Sequence, residues 1–249
     1  MSFPNQWLSS SYVGVNSVNF VAKLDFPPPT IEHMKTEKTA GGCYGVSLTD
    51  NDRILCAQNE HVEVRHATDL RLDKTTTVKD SGWVHSSVGN CEKCYFKVGS
   101  TVGKKYITYS GSLEDPTQRV LHSEEAENPS MITHLSANKD YIASIDFVNK
   151  TLKVFSSTTE EHLFDIQLTD IQHPYGVHLT ADGVLVTDST GGKLCKYTLT
   201  PSPEPIWTCT GLHKPGGITT DESGFIYVTD VNGPMIRIIS PLGEYILCR

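Results

Sequence analysis

The sequence predicts an all-β protein, a β-propeller of four-stranded antiparallel blades. Three observations carry that prediction. Short apolar runs punctuated by Gly, Asp and Pro recur along the chain, as in antiparallel hairpins. The pattern returns every 41–42 residues, the period expected when each repeat is one four-stranded blade. No segment sustains the apolar stripe of a helix.

The first 37 residues contain one strand candidate, Val18–Phe26, ended by Pro27-Pro28-Pro29, because proline cannot donate to a ladder. Residues 1–37 are therefore set apart from a propeller at 38–249, and Val18–Phe26 is a candidate closing strand. In the first unit, Tyr44-Gly45-Val46 leads to Arg53-Ile54-Leu55-Cys56-Ala57-Gln58. The second unit, Trp83 to Glu125, is the weakest; Tyr95-Phe96-Lys97-Val98-Gly99 takes the second-strand place, with Gly99 41 residues after Gln58. The third unit carries Tyr141-Ile142-Ala143-Ser144-Ile145-Asp146.

In the fourth unit, His173-Pro174-Tyr175-Gly176-Val177 precedes Gly183-Val184-Leu185-Val186-Thr187-Asp188, and its strands are predicted at Gly176–Leu179, Val184–Thr187, Leu194–Tyr197 and Ile206–Thr210. The fifth unit repeats the design. Pro215 stands 41 residues after Pro174, and Asp230 stands 42 after Asp188. Its last strand is predicted at Glu244–Cys248.

Composition narrows the function. The 249 residues carry 21 Lys and Arg against 29 Asp and Glu, a net charge of −8. Acidity weighs against nucleic acid in general, and DNA is not an expected partner. No run approaches the ~20 apolar residues of a membrane span, so no membrane partner is expected. The polar start, Met1 to Ser10, lacks the basic and apolar regions of a secretory signal. Seven scattered cysteines fit free thiols in a reducing compartment, and a cytoplasmic location is expected.

The motifs that carry chemistry are sparse. Cys91-x-x-Cys94 with His85 falls short of four zinc ligands and reads as two packed thiols. The ten histidines show no metal-ligand spacing. The strand starts Tyr44, Trp83, Ser130, Tyr175 and Gly216 are aromatic or small rather than acidic, which counts against a metal-dependent propeller hydrolase. No nucleophile elbow, phosphate loop or dinucleotide fingerprint occurs. The expectation is a protein with no cofactor, no metal and no catalytic residue, hence not an enzyme. Asp146, Asp188 and Asp230 end the second strand of three units and read as acceptors for turn amides.

One set of loops remains. In a propeller, loops entering the first strands share a face with turns between the second and third strands. That face collects Tyr44, Trp83, His85, Lys104, Lys105, Lys150, His173, Tyr175, Lys193 and Lys214. Lysines and aromatics together suit phosphate contact and base stacking. Loops on a rigid scaffold equally suit protein recognition.

The pattern Pro-x-Gly-Ile/Val, a hairpin glycine, then Ile-Tyr-Val-Thr-Asp and a later Ile-x-Ile resembles the NHL repeat. The fifth unit, Lys214 to Leu242, matches closely and the fourth well; the first and third are degenerate. The arrangement from Gly41 to Arg249 is similar to the NHL propellers that end many animal tripartite-motif (TRIM) and TRIM-like proteins. That family usually closes with six blades, and five units are visible here: either the chain is truncated, or it closes with five blades and the N-terminal segment packs as an extra strand, and the resemblance favours a fragment or variant of a six-bladed design. It implies a non-catalytic propeller that binds a protein partner, as the substrate-recognition part of a TRIM-like ubiquitin ligase or a free-standing relative. Ligase activity would need a RING domain, and this chain lacks its Cys/His clusters. RNA binding through the Lys/aromatic face is the alternative, and a propeller hydrolase the lesser one.

Overall fold

The computed structural model describes residues 17–21, 33–38, 43–49, 52–58, 60–78, 82–89, 93–100, 104–112, 119–126, 134–231 and 235–246. Among them there is no helix, and so none long and apolar enough to cross a membrane. Five four-stranded antiparallel sheets form a five-bladed β-propeller.

Blade one comprises β3 (Gly45–Leu48), β4 (Arg53–Ala57), β5 (His61–His66) and β6 (Leu72–Thr77). Blade two has β7 (Gly82–Gly89), β8 (Cys94–Ser100), β9 (Lys105–Gly111) and β10 (Arg119–Glu125). Blade three has β11 (Leu135–Ala137), β12 (Tyr141–Asp146), β13 (Thr151–Ser156) and β14 (His162–Gln167). Blade four has β15 (Pro174–Thr180), β16 (Gly183–Asp188), β17 (Lys193–Tyr197) and β18 (Trp207–Thr210). Blade five has β19 (Pro215–Thr220), β20 (Ile226–Asp230), β21 (Ile236–Ile239) and β22 (Tyr245–Ile246).

Ahead of them, β1 (Ser17–Val21) pairs antiparallel with β2 (His33–Lys38). The strand expected at Val18–Phe26 thus begins one residue earlier and pairs locally; 22–26 lie outside the described residues. The second strand was not expected. His33-Met34-Lys35-Thr36-Glu37-Lys38 is mostly polar, so no apolar alternation marks it.

The repeated Pro-x-Gly has a local cause. In β15 the register against β16 shifts between Pro174 and Val177. In this bulge the Gly176 amide donates to Thr187 Oγ1 at 2.8 Å. Thr187 Oγ1 in turn donates to the Gly216 carbonyl of blade five at 2.8 Å. In β19 the register shifts between Pro215 and Ile218, and the Gly217 amide donates to Thr229 Oγ1 at 2.9 Å. A Cβ at position 176 would collide with the Gly216 carbonyl. The glycine is therefore fixed by close approach of two backbones.

The core lies between blades. Leu55, Val62, Val64, Phe96, Val98 and Tyr109 join blades one and two. Tyr95, Leu135, Ile142 and Phe155 join two and three. Ile145, Val154, Ile166, Val177 and Val186 join three and four, and Leu185, Leu194, Ile218 and Val228 join four and five. Each buried aliphatic side chain contributes roughly 1.5–3 kcal/mol. The five described cysteines, Cys43, Cys56, Cys94, Cys195 and Cys209, are buried; Cys91 and Cys248 lie outside the described residues.

Candidate functional site

Antiparallel order puts the start of each first strand, the end of the second, the start of the third and the end of the fourth at one end of every blade. That end is the loop face. Lys104 and Lys150 sit there in equivalent turns, both exposed and both at a φ of 51°. Gly192 takes the same position in blade four at 63°. The three carbonyls accept from Ala126, Leu168 and Leu212 at 2.7, 2.9 and 3.0 Å. Lys214 is exposed and Lys105 half-buried. Lys193 Nζ donates to the Asp170 carbonyl at 3.1 Å.

The described aromatic members of the predicted set, Tyr44, His173 and Tyr175, are half-buried or buried. Tyr175 is buried with its ring against His134, so it offers little surface for stacking. Half-buried His173 packs edge-on against Phe147, and its Nδ1 pairs with Ser189 Oγ at 2.8 Å. Burial holds the His173 imidazole below its ordinary pKa. Half-buried Tyr44 precedes β3, its amide bonded to the Ala57 carbonyl at 2.9 Å. Trp83 and His85 lie on β7, with their side chains outside the described residues. Among the described residues, the loop face carries exposed lysines of blades two, three and five, Lys104, Lys150 and Lys214.

The repeated aspartates divide. Asp188 does what its position predicts. Its carboxylate accepts from the amides of Gln172, His173, Thr190 and Gly191 at 2.7, 2.9, 3.3 and 2.8 Å. Asp230 meets His213 Nδ1 at 3.2 Å. Asp146 accepts from the amide and side-chain nitrogens of Asn149 at 2.9 and 3.0 Å. It also belongs to a buried charged cluster that no sequence motif marks.

That cluster fills the junction of blades two and three. On β8, period-2 alternation sends Phe96 and Val98 to blade one and Lys97 to the other side. Lys97 is 0% exposed. Its Nζ meets Glu124 Oε1 at 2.6 Å and donates to Ser144 Oγ at 3.3 Å and the Ile145 carbonyl at 2.9 Å. It also lies 5.7 Å from the centre of the Tyr106 ring, a cation–π distance. Thr108 Oγ1 and Ser144 Oγ share a hydrogen bond of 2.9 Å. His122 and Glu124 stand two apart on β10. His122 Nε2 lies 3.6 Å from Asp146 Oδ2, and Lys153 Nζ lies 3.8 Å from the same oxygen.

The two carboxylates have opposite electrostatics. Burial, aided by the Asp146 carboxylate, pushes Glu124 up to about 7 against the pull of Lys97. Burial alone would raise Asp146 too. The neighbouring His122 and Glu124 side chains and both Asn149 donors outweigh it and hold Asp146 well below the usual carboxylate range. Perturbed groups of this kind concentrate at functional sites. One signal could have exposed the cluster: a lysine inside an apolar second strand, opposite in character to its neighbours Phe96 and Val98.

No protein-family model matches the chain, and no curated protein matches it. Solved structures do. Streptogramin B lyase is 14% identical at a TM-score of 0.62, over 82% of this chain and 67% of that one. A protein of unknown function from Bacteroides caccae is 12% identical at 0.65, over 96% and 91%. A chain of the mitotic checkpoint complex is 14% identical at 0.58, over 80% and 61%. These likenesses show a shared propeller fold. The NHL and TRIM resemblance rests on the repeat motif alone.

One expectation is corrected. The absence of known motifs and of acidic strand starts pointed to a chain that is not an enzyme. Streptogramin B lyase is an enzyme on the same fold. The fold therefore admits catalysis, and the exclusion does not hold. At 14% identity the likeness carries no particular reaction to this chain.

Proposed function

We propose that the loop face is a protein-binding surface. The observation that carries this reading is a pair of exposed apolar side chains on that face. Val148 is 51% exposed in the turn after β12, and Met235 is 44% exposed in the turn before β21. The same face carries the exposed cations Lys104, Lys150 and Lys214. Exposed apolar side chains on a face that also carries charge suit a protein partner. The net charge of −8 and the buried Tyr175 favour protein over RNA. Likeness to a chain of a protein complex agrees with this reading. The finer assignment, substrate recognition within a TRIM-like ubiquitin ligase, is supported by the Pro-x-Gly…Thr-Asp repeat.

The test compares partner capture by the native chain and by a Val148→Asp/Met235→Asp double variant. Both positions are exposed, so the fold is expected to survive, and circular dichroism checks it. Partners held by the native chain and lost from the variant support the reading. Equal capture contradicts it. Fluorescence polarisation against short RNA hairpins at ~50 and ~200 mM salt covers the alternative, because phosphate-driven binding collapses over that range. Such a collapse would put RNA in place of protein.

A further inference from the structure

We propose that His122, Glu124 and Asp146 form a divalent-cation site for a transition metal of the Mn²⁺ or Zn²⁺ class. One ligand atom from each residue lies within 4.8 Å of the others. A second observation points to a ligand. Glu124 has a side chain only 3% exposed, and its Oε2 is buried without a hydrogen-bond partner among the described residues. Lys97 occupies Oε1 and leaves Oε2 to the cluster. His122 Nε2 is likewise buried without a hydrogen bond; its 3.6 Å approach to Asp146 is too long for one.

Around these groups Lys97 meets Glu124, Lys153 bridges Asp146 and Asp165 at 3.8 and 3.1 Å, and His162 meets Asp165 at 2.6 Å. A bound cation would supply the partner that the buried Glu124 oxygen lacks. The donor set selects the metal class. An imidazole nitrogen beside two carboxylate oxygens suits Zn²⁺ or Mn²⁺ better than the all-oxygen shells of Ca²⁺ and Mg²⁺.

The geometry needs little adjustment. Ligands at about 2.1 Å from a tetrahedral ion stand about 3.4 Å apart. The His122 side chain is 22% exposed, so it has room to close and gives the ion a way in. Three protein ligands would leave a coordination position open, the arrangement of metal sites that also bind water or a substrate. The cluster lies under the turn bearing Val148 but does not depend on what binds the loop face.

The test uses the full chain, stripped with a chelator and dialysed, then titrated calorimetrically with Mn²⁺ and separately with Zn²⁺ at neutral pH. The expected result is saturable one-to-one binding that raises the melting temperature. His122→Ala and Glu124→Gln should each weaken it by at least about tenfold. Should Glu124→Gln fail to fold, His122→Ala decides alone, because its ring is partly exposed and its Nε2 makes no hydrogen bond. Absence of saturable binding for both ions overturns the proposal. So does binding that His122→Ala leaves unchanged, which would place the ion elsewhere, for instance on the buried thiols.

Discussion

The junction of blades two and three and the junction of blades four and five solve the same packing problem differently. Between four and five, Leu185, Leu194, Ile218, Ile226 and Val228 interlock. Neutral polar contacts cross the gap, from Thr187 Oγ1 to the Gly216 carbonyl and between His178 Nε2 and Thr220 Oγ1 at 3.1 Å. Between two and three, an apolar cluster around Tyr95, Ile142 and Phe155 shares the space with Lys97, Glu124, Ser144 and Asp146. The outer part of that junction is polar as well: Glu160 meets Lys93 and Arg119 at 3.0 and 3.2 Å. Burying charge contributes little net stability compared with apolar packing. A junction that buries it anyway is therefore the better place to look for chemistry.

The largest expected effect breaks the charged junction. Lys97→Met strands the Glu124 carboxylate in a buried position and should cost about 3–5 kcal/mol, read from the denaturant midpoint. A loss below about 1 kcal/mol would mean that solvent or a rearranged neighbour already compensates Glu124.

Acid probes the junction of blades three and four next. Buried His134 packs on Tyr175, and burial lowers its pKa from 6.5 to about 4. Between those values the unfolded chain binds more protons than the folded one. The His134 contribution is intact above 6.5 and falls away as pH drops towards 4, by about 3 kcal/mol in all. His134→Gln should flatten that part of the stability–pH curve. An unchanged slope would show that His134 is not kept neutral by burial.

Smaller effects sharpen the contrast. Thr187→Val keeps the shape of the blade four–five junction but removes the hydroxyl from the Gly176 amide and the Gly216 carbonyl. A loss of about 1–2 kcal/mol is expected in chemical denaturation. Lys150 adopts the positive φ that blade four assigns to Gly192. Lys150→Gly should therefore raise stability by up to about 1 kcal/mol. A fall would mean that the lysine side chain makes a compensating contact.

The same contrast explains what was legible in the sequence. Blade four was readable strand by strand. Its predicted Val184–Thr187 and Leu194–Tyr197 lie within Gly183–Asp188 and Lys193–Tyr197, because turn glycines and local alternation fix them. Asp188 was readable as a turn acceptor because its partners, Gln172, His173, Thr190 and Gly191, are near in sequence or across one hairpin. The charged cluster was not. Lys97 reaches Glu124 across 27 positions and Ser144 across 47, through a blade whose repeat is too degenerate to align. Only the packing of blade two on blade three brings those groups together. The loop face was half readable: sequence order gave its membership, but the burial of Tyr175 depends on packing against His134 in blade three.

The most direct test of the charged junction is a double-mutant cycle on Lys97→Met and Glu124→Met, read by equilibrium unfolding. A buried, mutually compensating pair predicts two costly single variants and a double variant that recovers much of the loss, with coupling of about 2 kcal/mol or more. Additive losses with coupling near zero would contradict a paired charge between these blades, and with it the ordered cluster on which the metal site depends.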